Sequence, residues 1–282
     1  MPKEIIDLLK KGIEANNADK FRRGSLVRLP PQGTCLITGD IHGYRRNFER
    51  IFTFADLAHN PDRHVILQEI IHGGPEDNEG GCLSYKLLFD VARYKLRFPD
   101  RVHIIMGNHD TAFINNSKVM KNGKEMNFAM RAALDREFGK VSEDVKLAIK
   151  QFLFSQPLAV RFPKRIFASH SLPADRYADK FDDMIFDRPL RINDVVRPGS
   201  AYLLTWGRCH SQKLLDKMAE TLNTDIFVLG HQRQEQGCSK AGTNLIILAT
   251  DHNHGCILPI ELAKSYTIDD LMGLMVPVAS IA

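Results

Sequence analysis

The sequence holds no apolar run near the roughly 20 residues that a membrane-spanning helix needs. Its start, Met1-Pro2-Lys3-Glu4, lacks the basic residues and apolar stretch of a secretory signal. A cytoplasmic location with no membrane partner is therefore expected. Cysteine is scarce: Cys35, Cys82, Cys209, Cys238 and Cys256 are odd in number, widely spaced and contain no Cys-x-x-Cys pair, which argues against a zinc ribbon or redox site and for reduced thiols. There is no Lys/Arg tract either, and a formal net charge of only +4 permits acidic substrates without supporting a nucleic-acid surface. Internal repeats, low-complexity tracts and linkers are also missing. What remains is an ordinary globular composition, 44% hydrophobic and 26% charged, enough for a large core. One continuous domain over residues 1–282 is the expectation.

Residues 4–16 place Ile5, Ile6, Leu8, Leu9 and Ile13 at helical spacing among Lys and Glu, which predicts an amphipathic surface helix. Beyond it, Thr34-Cys-Leu-Ile-Thr38 is a short apolar run ending at Gly39-Asp40. The same construction recurs where His64-Val-Ile-Leu-Gln68 meets Glu69, and where Arg101-Val-His-Ile-Ile-Met106 meets Gly107-Asn-His-Asp110. Helical patterns at 44–58 and 83–97 separate these strands, and alternation of this kind indicates parallel βαβ units. Polar groups at the C-terminal ends of such strands converge on one edge, where ligands bind. Later strands at 158–162, 165–168, 225–229 and 244–249 deliver His170, His231 and the Asp251-His252 pair, with helices at 125–138, 143–154 and 212–222. A last helix, capped by Thr267, reaches Met275, and the apolar tail after it is expected to dock on the core.

Asp40 and His42 stand two residues apart at a strand end, where alternation points both to one side. Asn108 and His109 add an amide oxygen and an imidazole, and His170 and His231 two further imidazoles in matching contexts. Carboxylate and amide oxygens mixed with imidazole favour Mn, Fe or Zn over calcium. A lone histidine after a strand is more often structural, so the order of these signals carries the argument: Asp-x-His, an acidic strand end, Gly-Asn-His-Asp, then two separate His strand ends.

That order resembles the calcineurin-like metallophosphoesterases over about residues 34–260. The lead-in Tyr94-Lys-Leu-Arg-Phe-Pro before Gly107-Asn-His109, together with Gly230-His-Gln232 and Asn253-His254, is similar to the serine/threonine phosphoprotein phosphatase branch. The resemblance implies an α/β fold (α+β in some schemes): a β-sandwich flanked by helices, with a metal site at the C-terminal strand ends. Residues 1–24 would then be an N-terminal helix and lead-in, 34–260 the core and 261–282 a C-terminal extension. It also implies two divalent metal ions, Mn first with Fe, Zn or Mg as alternatives, held by Asp40, His42, Glu69, Asn108, His170 and His231. His109 would be the general acid.

The second family motif, Gly-Asp-x-x-Asp-Arg-Gly, falls on Gln68-Glu-Ile-Ile-His-Gly-Gly74 and departs from it at three positions. Glu69 would bridge the metals, with Glu76 or Asp77 as fallback ligands. His72 stands where an aspartate would orient His109 and is expected to bind phosphate or metal, the orienting role passing to Asp110. Gly73 replaces a phosphate-binding arginine; Arg208 is the expected substitute, with Arg45 and Arg46 as alternatives. His254 is placed in the pocket and Trp206 in the core. The resulting expectation is hydrolysis of a phosphate monoester, on a phosphoprotein or a small molecule. A nucleotide polyphosphate or phosphodiester hydrolase is the alternative enzyme. The alternative from another class is a non-catalytic pseudophosphatase acting as a binding module.

Overall fold

Strands buried on both faces read as unbroken apolar runs, and the runs that end at Asp40, Gln68 and Leu229 do so for that reason. The structure, a computed structural model, describes residues 2–282. In chain order its strands are β1 (Arg22–Arg23), β2 (Leu26–Arg28), β3 (Thr34–Asp40), β4 (Arg63–Gln68), β5 (Val102–Ile105), β6 (Met120–Lys121), β7 (Lys124–Glu125), β8 (Ala159–Arg161), β9 (Ile166–Ser169), β10 (Ile226–Leu229), β11 (Cys238–Ala241), β12 (Leu245–Leu248), β13 (Cys256–Glu261) and β14 (Val276–Pro277). One sheet runs β14-β13-β3-β4-β5 and the other β1-β2-β8-β9-β10-β12-β11, while β6 and β7 pair as a separate hairpin.

The units β3-β4-β5 and β9-β10-β12 are parallel, as the strand and helix alternation predicts. The edges are not: β13 and β11 pair antiparallel, and β8 turns back on β9 through Pro163 and Lys164. Side-chain alternation divides the core into layers. Cys35, Ile37, Ile66, Val160, Val228, Ile246 and Leu258 pack between the two sheets, whereas Leu36, Val65, Leu67, Phe227, Leu229 and Leu245 face the helices. Each fully buried branched side chain contributes about 1.5–3 kcal/mol, so both layers are needed to hold the strand ends in place.

The helices α1 (Pro2–Asn17), α2 (Arg45–Ala55), α3 (Ser84–Arg97), α4 (Asn108–Asn115), α5 (Met126–Phe138) and α6 (Ser142–Phe154) cover the first sheet and its flank. Those of the later chain are α7 (Ser200–Trp206), α8 (Gln212–Thr221) and α9 (Ile268–Gly273). No helix among the described residues is long and apolar enough to cross a membrane. The tail docks on the core: Leu271 and Val278 are buried and β14 pairs with β13. The register of β3 slips between Ile37 and Asp40, and Asp40 then bridges to Ala249, joining the two sheets at the edge where their C-terminal ends meet.

Candidate active site

Six of the expected residues meet at that edge. The backbone turns sharply there, and His42, Glu69, His72 and His231 all adopt left-handed conformations, with φ between +44° and +67°. Such a conformation costs a non-glycine residue on the order of 1–3 kcal/mol. Here it accompanies the sharp turns that follow β3, β4 and β10. The approach is close enough that a Cβ on Gly107 would lie 2.3 Å from Glu69 Oε1, and one on Gly230 would lie 2.4 Å from Asp40 Oδ1.

Partners behind the rings fix the imidazole tautomers. His42 Nδ1 donates to the Ile71 carbonyl at 3.0 Å, leaving Nε2 to face Asp40 Oδ2 at 3.7 Å and Glu69 Oε2 at 3.6 Å. His170 Nδ1 donates to Gln68 Oε1 at 3.1 Å, while Gln68 Nε2 donates to the Thr38 carbonyl at 2.6 Å. His170 Nε2 therefore points inward, 3.2 Å from Glu69 Oε2, 3.0 Å from Asn108 Oδ1 and 3.2 Å from His231 Nδ1. His231 Nδ1 lies 2.8 Å from the same Asn108 oxygen. An acceptor or carbonyl that sets the ring in this way is the usual support behind a metal-binding histidine.

Electrostatics agree with a site short of positive charge. Burial and the neighbouring Glu69 push the Asp40 carboxyl up. Glu69 is held well below the usual carboxylate range because its contacts with His170 outweigh its burial. His170 is raised despite burial, by Glu69 and Asp40. The donor set also fits a cation. Bonds of about 2.1 Å place adjacent octahedral ligands about 3.0 Å apart, and the inward-facing atoms of Glu69, Asn108, His170 and His231 lie 2.8–3.2 Å from one another where their separations are given above. Two groups of donors, His42-Glu69-His109 and Glu69-His170-His231, are compact enough for a metal ion, and Glu69 belongs to both.

The sequence model of the calcineurin-like phosphoesterase family matches residues 33–235, most of the chain. The chain belongs to the calcineurin-like phosphoesterases. It is a hydrolase of phosphate esters, of a family that depends on metal ions. Solved structures agree on the fold. A protein serine/threonine phosphatase from Saccharomyces cerevisiae, described as similar to human phosphatase PP5, aligns with a TM-score of 0.68 at 14% identity, covering 99% of this chain and 93% of that one. A cold-active protein-tyrosine phosphatase of a psychrophilic Shewanella species aligns at 0.58 with 13% identity, covering 89% and 80%. At these identities the likeness is one of fold.

The cleft of this phosphoesterase encloses about 800 Å³ over the donor cluster, and Lys121, Arg208, Arg233 and His254 reach its walls. Arg208 Nη1 donates to the His231 carbonyl at 3.2 Å, so the structure brings Arg208 and His254 to the cleft as expected. It does not bring His72 there. That ring is wholly buried behind His109, with the two Nδ1 atoms 3.0 Å apart.

Asp110 does not orient His109 either. One of its oxygens accepts from the Gly107 N–H at 2.8 Å, capping α4. The other is buried without a partner among the described residues, and burial with the Glu69 charge pushes the carboxyl up to about 8. The fallback ligands point elsewhere, Glu76 to Lys124 at 2.8 Å and Asp77 to Arg136 at 2.6 Å. Arg45 pairs with Asp90 at 2.6 Å, outside the cleft. Trp206 is only half-buried and donates to Thr111 Oγ1.

Sequence reasoning missed Gln68, whose signal was a polar residue closing an apolar strand, and the Lys121–Asp251 ion pair of 3.0 Å. No spacing rule marks that pair.

Proposed function

We propose that the protein hydrolyses phosphate monoesters, with phosphoserine or phosphothreonine in proteins as the first substrate class to test, using a two-metal site with Glu69 shared between the ions. The observation that carries this reading is the membership of Glu69 in both donor groups. Asp40 and His42 flank it on one side, and Asn108, His170 and His231 on the other. When bound, divalent cations held by these residues would lower the pKa of a bound water and neutralise charge on the phosphate. Mn²⁺ is the first choice for this mixed oxygen and imidazole set.

The chain's own residues do the rest. Arg208, on the His231 side of the cleft, would hold phosphate oxygens through its planar fork of N–H donors. His109 would serve the leaving oxygen, and His72 sets how. Burial lowers the pKa of both rings, that of His72 to about 3, so both are neutral near pH 7. One Nδ1 must donate to the other. A buried acceptor left unpaired is tolerated better than a buried donor. His72 therefore donates from Nδ1, leaving its partnerless Nε2 as an acceptor. His109 then carries its proton on Nε2 and presents it as a hydrogen-bond donor, a role open to neutral imidazole.

The test is hydrolysis of an aryl phosphate monoester after metal-free purification and reconstitution with Mn²⁺, with Asn108→Ala as control. Metal-dependent turnover that the control loses is the expected outcome. Absence of turnover in protein that binds metal would sink the catalytic reading and favour a binding module. Relative rates on a phosphopeptide, a dinucleoside polyphosphate and an aryl phosphodiester then fix the substrate class. A preference for either of the last two removes the protein phosphatase assignment.

A further inference from the structure

The cleft has two sides, and only one has so far been given a cation. Arg208 lies beside His231. Beside His42 the segment after β4 lines a smaller hollow with Gly73 and Gly74, two positions that have no room for side chains. A Cβ on Gly73 would lie 2.5 Å from the His42 carbonyl oxygen, and one on Gly74 would lie 2.3 Å from that of Gly43. Backbone packs directly on backbone there, so any positive group must come from another part of the chain.

The hairpin formed by β6 and β7 provides one. Lys121 lines the main cleft and also the smaller hollow of about 280 Å³ that continues past His42, Gly73 and Gly74. Its Nζ sits 3.0 Å from Asp251 Oδ2, and both side chains are about a quarter exposed. That contact ties the hairpin to the loop that carries His252 and His254, and it aims the ammonium group between the two hollows. An ammonium has three N–H donors. One is committed to Asp251, which leaves the others for a ligand. The charge is also felt inside the site: after burial and the nearer histidines, Lys121 is among the groups that lower both His109 and His72, and it holds Asp251 down despite burial.

We propose that Lys121, steered by Asp251, is a phosphate-binding residue of this site, gripping the substrate's phosphoryl oxygens from the His42 side while Arg208 holds them from the His231 side. This deepens the phosphoesterase reading and rests on it. Lys124 is the internal comparison: it belongs to the same hairpin and lines only the smaller hollow, where its Nζ meets Glu76 Oε2 at 2.8 Å.

The experiment is calorimetric titration of the Mn²⁺-loaded protein with inorganic phosphate, alongside KM and kcat on an aryl phosphate. Lys121→Gln should weaken phosphate at least tenfold and raise KM. Lys121→Arg should stay within about threefold, and Lys124→Gln should match the wild type. Because Lys121→Gln leaves Asp251 without its partner, the double variant Lys121→Gln/Asp251→Asn guards against a folding defect and should show the same weakening. Unchanged phosphate affinity in folded Lys121→Gln, or an equal loss in Lys124→Gln, overturns the proposal, as does a wild type that binds no phosphate. Phosphate binding that depends on Lys121 in a protein that turns over no ester would uphold the residue's role and remove the catalytic reading instead.

Discussion

Gln68 offers the sharpest test of how the site is held. Its side chain is 1% exposed and joins two groups, accepting from His170 Nδ1 and donating to the Thr38 carbonyl. Gln68→Leu keeps the volume and removes both contacts. The His170 N–H would then be stranded at a position 1% exposed, a cost of about 1–3 kcal/mol in stability. The ring would also be free to turn its Nε2 away from Glu69 and Asn108. Loss of such a supporting partner lowers metal affinity by about 10–100-fold, or about 1.4–2.7 kcal/mol. Both quantities are accessible: urea unfolding in the presence of chelator gives the first, and competition for Mn²⁺ with a chromophoric chelator gives the second. Gln68→Glu, which keeps an acceptor for His170, should bind metal within about tenfold of the wild type. If Gln68→Leu binds Mn²⁺ within twofold of the wild type, the idea that Gln68 sets the His170 ring is wrong.

Gly107→Ala should displace Glu69 by a large part of an ångström, since the new Cβ would otherwise lie 2.3 Å from Oε1; a misplacement of that size predicts a loss of about 100-fold in kcat/KM, measured with Mn²⁺ on an aryl phosphate. At the opposite end of the first sheet, burial holds the His64 ring down to about 3, below the value near 6.5 of an unfolded chain. The unfolded state therefore binds the extra proton, and stability should fall as pH drops from about 6.5 toward 3, by at most about 1.4 kcal/mol per pH unit; urea unfolding between pH 4 and 7 checks this, and His64→Gln should flatten the slope. Asp19 is kept below the carboxylate range by His103 and Lys95, which outweigh its burial, and Lys95 Nζ sits 3.0 Å away. Its contribution is present above about pH 4 and lost below, and Asp19→Asn, by leaving Lys95 buried alone, should cost about 3–5 kcal/mol at neutral pH in the same assay. His72→Asp should place a charge beside His109 and raise its pKa, giving the pH–rate profile an alkaline fall that the neutral wild-type donor lacks and favouring alkyl over aryl phosphates relative to wild type.

Much of the fold was legible because each strand that carries a site residue is buried on both faces and therefore reads as a continuous apolar run. The ends of β3, β4, β9 and β10 could be placed to within a residue or two, and their polar termini marked the edge where ligands bind. The edge strands were harder. β11, Cys238–Ala241, is only partly buried and has no apolar run to mark it. β13 contains Pro259, which argues against a strand. The site's donors were legible one by one from strand ends. Their supports were not, because Gln68 acts across 102 residues to His170 and Lys121 across 130 residues to Asp251, and no local period records such a contact. The placement of His72 behind His109 and of Asp110 on the Gly107 N–H was not legible for the same reason. Position in a motif says which strand end a side chain leaves, and only packing decides whether it points into the cleft, as His109 does, or behind it, as His72 does.

The departures around Glu69 form one connected change. A glutamate reaches one methylene further than an aspartate, and the structure uses that reach: Oε2 faces His170 and His42, while Oε1 accepts the His109 backbone N–H at 2.7 Å. The left-handed turn at Glu69 brings residues 70–74 against the His42 segment, where Ile71 accepts from His42 and the glycines at 73 and 74 allow backbone contact. With that wall closed, the ring of His72 has no route to the cleft and fills the space behind His109. A carboxylate in that space would be a buried charge beside an imidazolium, whereas two neutral rings sharing one hydrogen bond avoid both charges in a site already crowded with Asp40 and Glu69. The consequence is chemical. A neutral His109 donates a hydrogen bond more weakly than an imidazolium, so more of the work on the leaving group falls to charge placed around the phosphate, the role proposed for Arg208 and Lys121 on opposite walls.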